Sequence, residues 1–532
     1  MIFLGLLLQG LLRLLTRLTF VVLVVLTLAK VVSFALALWA EHHVDSVERL
    51  ASRMFGMPVR VAHIETSWRG FTPRIWLRNL VIGDEEQLHL GDVLAAVSLR
   101  ALPHWPENLP VALHLKGTRL QVERDEQGVT RIVGLPKPSG RFSPPALLLI
   151  ENATVVWEDH KRGARLVERN LDLQLLSRGD LRELLVTSRN RDLRVRGELR
   201  GRLTGTDWSA RFWVQGKRLD IAQALTPYLP EKIRLHSAKV DLEAWSRWDH
   251  GSHRGSRLRF RLPETVAERE GAPPLTLHEL SGDLAYQVTD TGWTLQLAGA
   301  TLKAAEAPPL EGLAVAVQAN GNDLLLGFSS VELASLTPLT RLLPLEPDHL
   351  ESIAAIAPGG RLENLRLHFR QREERPAWNA RASLHDLHAT AWKKLPGIQG
   401  LQAELFAGPG RVRLLLESED TLIDLPHLFR QPIELGLLEG ELVWKKTAAG
   451  WSLDSHALVA ENRDLATITR LHLSKTDGEP LFADIQTDFR NGDGARAPRY
   501  YPVGIMKEKL VKWLDEAILF GRVSKGSFIL HG

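Results

Sequence analysis

His42 and His43 stand beside Asp45, a grouping whose side chains could hold a divalent metal. Neighbouring residues on a helix point about 100° apart, so this group reads better as exposed polar surface. Residues 277–280, LHEL, begin like a His-Glu-x-x-His zinc motif but have no second His. Residues 215–218, QGKR, lack both the first Gly and the hydroxyl residue of a phosphate-binding loop. Carboxylate pairs are plentiful among 63 acidic residues, which makes any single pair weak evidence for glycoside or acyl chemistry. The chain has no cysteine, which excludes thiolate metal sites, cysteine nucleophiles and disulfide frameworks. It reads as a non-enzyme that calls for no metal and no cofactor.

Apolar residues make up 44% of the 532 positions and charged residues 24%, the composition of an ordered chain. The net charge of +3 sits at the N-terminus: residues 1–40 carry Arg13, Arg17 and Lys30, and the first carboxylate is Glu41. Without those three bases, 63 basic residues face 63 acidic ones, and nothing points to nucleic acid. Residues 18–40, LTFVVLVVLTLAKVVSFALALWA, are long and apolar enough to cross a bilayer. Arg13 and Arg17 before the span place the N-terminus in the cytoplasm and the body outside. Trp39 fits the interfacial belt on the far side, and Lys30 fits a snorkelling lysine. Ala35-Leu36-Ala37 resembles a cleavage site, but the apolar run exceeds a usual signal-peptide core, which favours an uncleaved anchor. Residues 1–17 are then a cytoplasmic or interfacial N-terminus.

The elements behind the anchor are read from alternation. In 192–203, DLRVRGELRGRL, Leu193, Val195 and Leu199 fall on one parity and the charges on the other. Leu258 and Phe260 alternate with Arg257, Arg259 and Arg261; Leu365, Leu367 and Phe369 with Arg366, His368 and Arg370. Val412 and Leu414 continue the pattern. Period two of this purity means antiparallel strands with one wet and one dry face. Residues 282–297 and 440–455 align as a repeat, Gly-acid-Leu followed by Gly-Trp ten residues after the first Gly. Each copy reads as a β-hairpin, and they add Leu284, Tyr286, Trp293 and Leu295, then Leu442, Trp444, Trp451 and Leu453, to the candidate dry face. The two Trp residues fit either a lipid-facing lining or ordinary packing near a turn. Helical periodicity marks 43–55, 219–228, 331–343 and 505–519. The expected divisions are 1–17, the anchor 18–40, a β-body 41–504, and a helix with a terminal strand at 505–532. Alternation alone leaves two architectures open: a closed sandwich, or a curled sheet whose dry side lines an apolar groove.

Residues 51–84, ASRMFGMPVRVAHIETSWRGFTPRIWLRNLVIGD, resemble the start of AsmA-like envelope proteins of the YhdP type. Val59, Val61, Trp68-Arg69-Gly70, Pro73 and the strand 75–82 closing on Gly83-Asp84 carry the likeness, together with 115–135 and 500–532. YhdP-type and TamB-type proteins are similar to bridge-like lipid transporters, and the resemblance implies a fold and a role. The fold is an N-terminal transmembrane helix followed by a long, curled, mostly antiparallel sheet forming an extended apolar groove, with a few short helices. The role is an inner-membrane-anchored periplasmic protein carrying phospholipids toward the outer membrane along that groove. Implied partners are phospholipids, the inner membrane and envelope proteins of either membrane. The alternative is an envelope scaffold or outer-membrane-protein assembly factor that binds partners at its sheet edges. Proteins of this type are much longer, so the expectation is an N-terminal or shortened form.

Overall fold

The computed structural model describes residues 2–55, 58–69, 72–83, 88–127, 130–134, 143–201, 207–230, 232–371, 377–393 and 395–532. Gly70 and Asp84 of the family-like motif, Arg202 and Leu203 of the alternating stretch, and the side chain of Arg13 lie outside the described set. The protein is mainly β: among the described residues, 29 strands form one large, mostly antiparallel sheet, with a few short helices and one N-terminal apolar helix. The chain divides into two compact units, 1–228 with 241–254, and 229–240 with 255–532.

The first unit opens with α1, Ile2–His42, whose stretch Thr16–His42 is apolar and long enough to cross a membrane. Large apolar side chains along its described part are exposed, Leu23 at 60% and Val31 at 62%, so the sheet does not bury them. Helix α2, Val44–Phe55, follows at once. Glu41 at the end of α1 accepts hydrogen bonds from the Thr66 backbone N–H and hydroxyl, at 2.6 and 2.5 Å. From α2, Glu48 accepts from the Val61 N–H at 2.6 Å and Ser52 from the Val59 N–H at 2.9 Å. Both helices are thus tied to the first strands by side chains that satisfy backbone donors.

The strands of this unit are β1 Val59–Arg60, β2 His63–Arg69, β3 Thr72–Ile82, β4 Leu88–Val97, β5 Leu109–Lys116 and β6 Arg119–Arg124. They continue as β7 Thr130–Ile132, β8 Pro145–Asp159, β9 Ala164–Arg178, β10 Leu181–Ser188, β11 Asp192–Gly201 and β12 Trp208–Asp220. Among the described residues, neighbours run antiparallel except where β8 pairs in parallel with β5 and β6. A core of Val59, Val61, Ile64, Val93, Leu115 and Ile150 gathers under Val44, Val47 and Ala51 of α2.

The second unit is a succession of antiparallel strands. Leu275–Val288 and Gly292–Ala304 form one hairpin, and Ile433–Thr447 and Gly450–Glu461 form another, each turning just before its Gly-Trp pair. Helical turns at 333–342 lay Leu336, Leu339 and Leu342 over Leu275, Leu277, Leu302 and Leu310. Helix Glu508–Ala517 is held by a bidentate Arg430–Asp515 pair at 3.0 and 2.6 Å. The helix Pro347–Ile356 lies outside the segments that helical periodicity marks.

Bulges recur along the strands. Asn79, Asn152, Asn170, Asn364, Asp386 and Asp420 have left-handed backbones, with φ between 50° and 58°, at or beside register shifts of their strands. Asn and Asp tolerate this conformation best among residues with a Cβ. A neighbouring carboxylate often takes the freed N–H: Asp92 accepts from Asn79 at 3.2 Å and Asp172 from Asn152 at 2.9 Å. Each bulge bends its strand and increases its twist without moving the apolar residues to the other face.

Candidate functional site

Pairing register places side chains on faces, because directly opposed residues point the same way. In the first unit one row passes through Ile64, Leu77, Val93, Leu115, Ile150, Leu173, Val186, Val195 and Val214, one residue from each of β2–β5 and β8–β12. The parallel row two residues away is Thr66, Ile75, Ala95, Leu113, Leu148, Leu175, Leu184, Gly197 and Phe212. No charged residue interrupts either row. They differ in cover. Ile64, Val93, Leu115 and Ile150 in the first row are 1–4% exposed, whereas every residue of the second row except the buried Gly197 is half-buried.

The second unit repeats the arrangement. Tyr286, Leu295, Val317, Leu326, Leu367, Ala380, Ala407, Val412, Trp444, Leu453, Leu473 and Ala483 oppose one another in sequence, strand to strand. All are half-buried except Ala380.

Most of the residues selected from sequence lie on these faces. Leu258 opposes Leu284, Phe260 opposes Gly282, and Leu414 stands beside Leu442. Trp293 packs against Tyr286, ring centres 6.1 Å apart, and Phe369 is 39% exposed opposite Leu324 and Trp378. Leu365 falls in the bulge around Asn364 and has no opposed partner in the register. Trp451 shares the face of Leu453 but stands at the turn end between Lys446 and Lys475. Leu193 opposes Gly216. Leu199 opposes Ala210 on one side and Arg182 on the other, a cation on the dry face that alternation did not reveal. Arg182 donates to the Gly201 and Asp180 carbonyls at 2.6 and 3.2 Å, and burial lowers its pKa. Arg17 is exposed on α1, and Trp39 stacks on His43 with ring centres 5.3 Å apart.

Sequence reasoning missed Leu148, Leu175 and Leu184. They sit in runs such as LLLI and LQLL, where both faces of a strand are apolar and period two disappears. The register supplies the face that the pattern hides.

The opposite face is held by cross-strand ion pairs. Arg78 bridges Glu65 and Asp92 at 2.8 and 2.7 Å, and Arg189 meets Asp172 at 2.6 Å. Arg370 and His368 share Asp323 at 2.8 and 2.7 Å, and Arg413 pairs with Glu441. The guanidinium hydrogen bonds hold Glu65, Asp92, Asp172 and Asp323 below the usual carboxylate range. Lys303, with help from Arg261, does the same for Glu279. Among the described residues, Glu123, Glu158 and His160 come close enough to share a metal ion, but Arg131 and Arg165 already neutralise the two carboxylates at 3.1 Å each. Near the C-terminus, Tyr500 donates to Asp464 at 2.9 Å, and burial pushes its pKa up to about 12. That neighbourhood, with Arg463, Arg496 and Arg499, is polar and separate from the apolar rows.

Fold and face together define a class: mainly-β proteins in which one large antiparallel sheet, dry on one side, follows a single apolar N-terminal helix. Within it the chain belongs to the YhdP family, whose profile, described as YhdP protein, matches residues 1–532. It is 23% identical over 345 residues to the intermembrane phospholipid transporter YhdP of Escherichia coli (strain K12). The matched region is 61% of this chain and 26% of that protein, so the chain spans about a quarter of its relative's length. No solved structure matches the chain.

Proposed function

We propose that this chain is an inner-membrane-anchored carrier of phospholipids, with α1 crossing the membrane and the body on its periplasmic side. Acyl chains travel on the dry face toward the outer membrane while headgroups stay in water. The observation that carries the reading is the half-buried state of the second row of the first unit and of the row in the second unit, which leaves room for an acyl chain where a sandwich core would be sealed. The family and the name of the Escherichia coli relative support the same cargo. The energetics are permissive. An acyl chain gains about 0.8 kcal/mol per buried CH₂ in a bilayer or against a dry protein surface alike, so movement along a uniform row is nearly level. No covalent step is needed on the sheet itself.

Photo-cross-linking in cells labelled with radioactive phosphate tests this. Label is expected with the cross-linker at Leu184 or Leu367, and not at Glu183 or Arg366, which point to the other face of the same strands. A folded, anchored protein that takes up no label at Leu184 and Leu367 would sink the carrier reading.

A further inference from the structure

Two contacts of α1 give the sheet a direction relative to the membrane. Glu41 holds Thr66, and Phe34, seven residues deeper in the helix, lies 5.9 Å from Trp68. Seven helical residues rise about 10 Å. Strand β2 therefore runs back along α1, and its Trp68 end lies beside the apolar part of the helix. A hydrocarbon core takes up about 20 residues of helix, so the run 18–40 puts Phe34 inside the leaflet nearer the body.

Register carries that level across the sheet. Trp68 opposes Pro73; the next pair, Arg74 with Ala96, leaves Val97 in line, and Val97 opposes Val111. Immediately beyond Val97 the chain turns through Leu99–His104. Leu102 and Trp105 there are 48% and 65% exposed, and Val97 is 40% exposed. Exposed Trp and Leu at this edge are poorly placed in water and well suited to a headgroup–acyl boundary.

The dry face changes character with distance from that edge. Thr66, Ala95 and Leu113, one step from it, are half-buried and lead to Leu148, Leu175 and Leu184. One step further, Ile64, Val93 and Leu115 are 1–3% exposed in the core cluster against which α2 packs.

We infer that the edge formed by β2–β5 and the 99–105 turn lies within the leaflet, and that it is the mouth where phospholipid acyl chains pass from the bilayer onto the sheet. They follow Ala95 and Leu113, while the row under α2 is closed structural core. The inference rests on the carrier reading and adds the place and the lane of uptake.

The absence of cysteine allows single-site labelling of the full chain in phospholipid vesicles. An environment-sensitive fluorophore is attached to Leu102→Cys, Trp105→Cys, Leu23→Cys within the helix, and Asn190→Cys in the turn at the opposite edge of the sheet. Brominated phospholipids should quench positions 102 and 105 several-fold more than 190 and nearly as well as 23. Quenching at 23 with 102 and 105 no better than 190 overturns the mouth and leaves the anchor intact; no quenching at 23 removes the anchor and the inference with it. The cellular cross-linker is then placed at Leu113, Leu115 and Leu184. Phosphate label at 113 and 184 but not 115 supports the lane. Label at 184 without 113, at 113 without 184, or at 115 overturns this route while the carrier reading survives; no label at any of the three overturns the route, and sinks the carrier reading too if Leu367 is also unlabelled.

Discussion

Val195 and Arg196 are adjacent in the chain and face opposite sides of the sheet, one opposite Val214 and the other opposite Trp213. At this scale the molecule separates residues that hold the fold from residues that stay half-open. Ile64 is 1% exposed in the core under α2, so Ile64→Ala should cost about 2–4 kcal/mol through lost burial and a cavity. A denaturant melt of the detergent-solubilised chain measures it. Leu326 is half-buried between Val317 and Leu367, where a carboxylate could reach water. Leu326→Asp should shift the melt far less than Ile64→Ala, yet strongly reduce phospholipid cross-linking on the same face, because it sets a charge on the proposed acyl path. Equal damage to stability from both substitutions would make Leu326 ordinary core.

At the scale of elements, the strands are bent by bulges rather than broken. Asn364, at φ 53°, lets β-structure 359–370 keep both Leu362 and Leu367 on one face although the register slips between them. A β-branched side chain is disfavoured in that conformation. Asn364→Val should therefore destabilise the second unit by about 1–2 kcal/mol, while Asn364→Gly should be close to neutral. Thermal unfolding of the two variants side by side decides it. The bulges were invisible as such in the sequence, since a lone Asn in an alternating run reads equally as a polar surface residue. The repeated hairpins are a different case, because Gly292 and Gly450 head their strands where an added Cβ would strike the neighbouring backbone, at Ala319 O and Lys475 O respectively.

Across the whole molecule, the wet face carries a network of carboxylates held below their ordinary range by arginine and lysine partners: Asp92, Asp172, Glu279 and Asp323 among them. A depressed folded-state pKa adds stability that is complete above the unfolded value, near 4. That stability is lost as pH falls through the lower folded values. The chain should therefore unfold more readily on acidification from about pH 5 to pH 3, and added salt at neutral pH should weaken the same exposed pairs. Circular dichroism melts across that range check both; unchanged melting at pH 3 would mean the pairs contribute nothing net.

The sequence by itself determined the anchor-like helix, the mainly-β class and the two-faced strands, because hydrophobic length and period-two alternation are local properties written in consecutive residues. It also marked Tyr286, Leu295, Leu367, Val412, Trp444 and Leu453, which the register sets in one row. The tertiary structure alone decided which dry residues are sealed and which stay half-open. Val93 and Ala95 are two apart on the same face of β4 and indistinguishable by pattern, yet Val93 is buried in the core cluster and Ala95 is half-buried outside it. It also decided that Arg182 would stand opposite Leu199, since cross-strand neighbours depend on bulges and turn lengths summed along the chain. Burial is set by what packs above a residue, and that comes from segments distant in sequence.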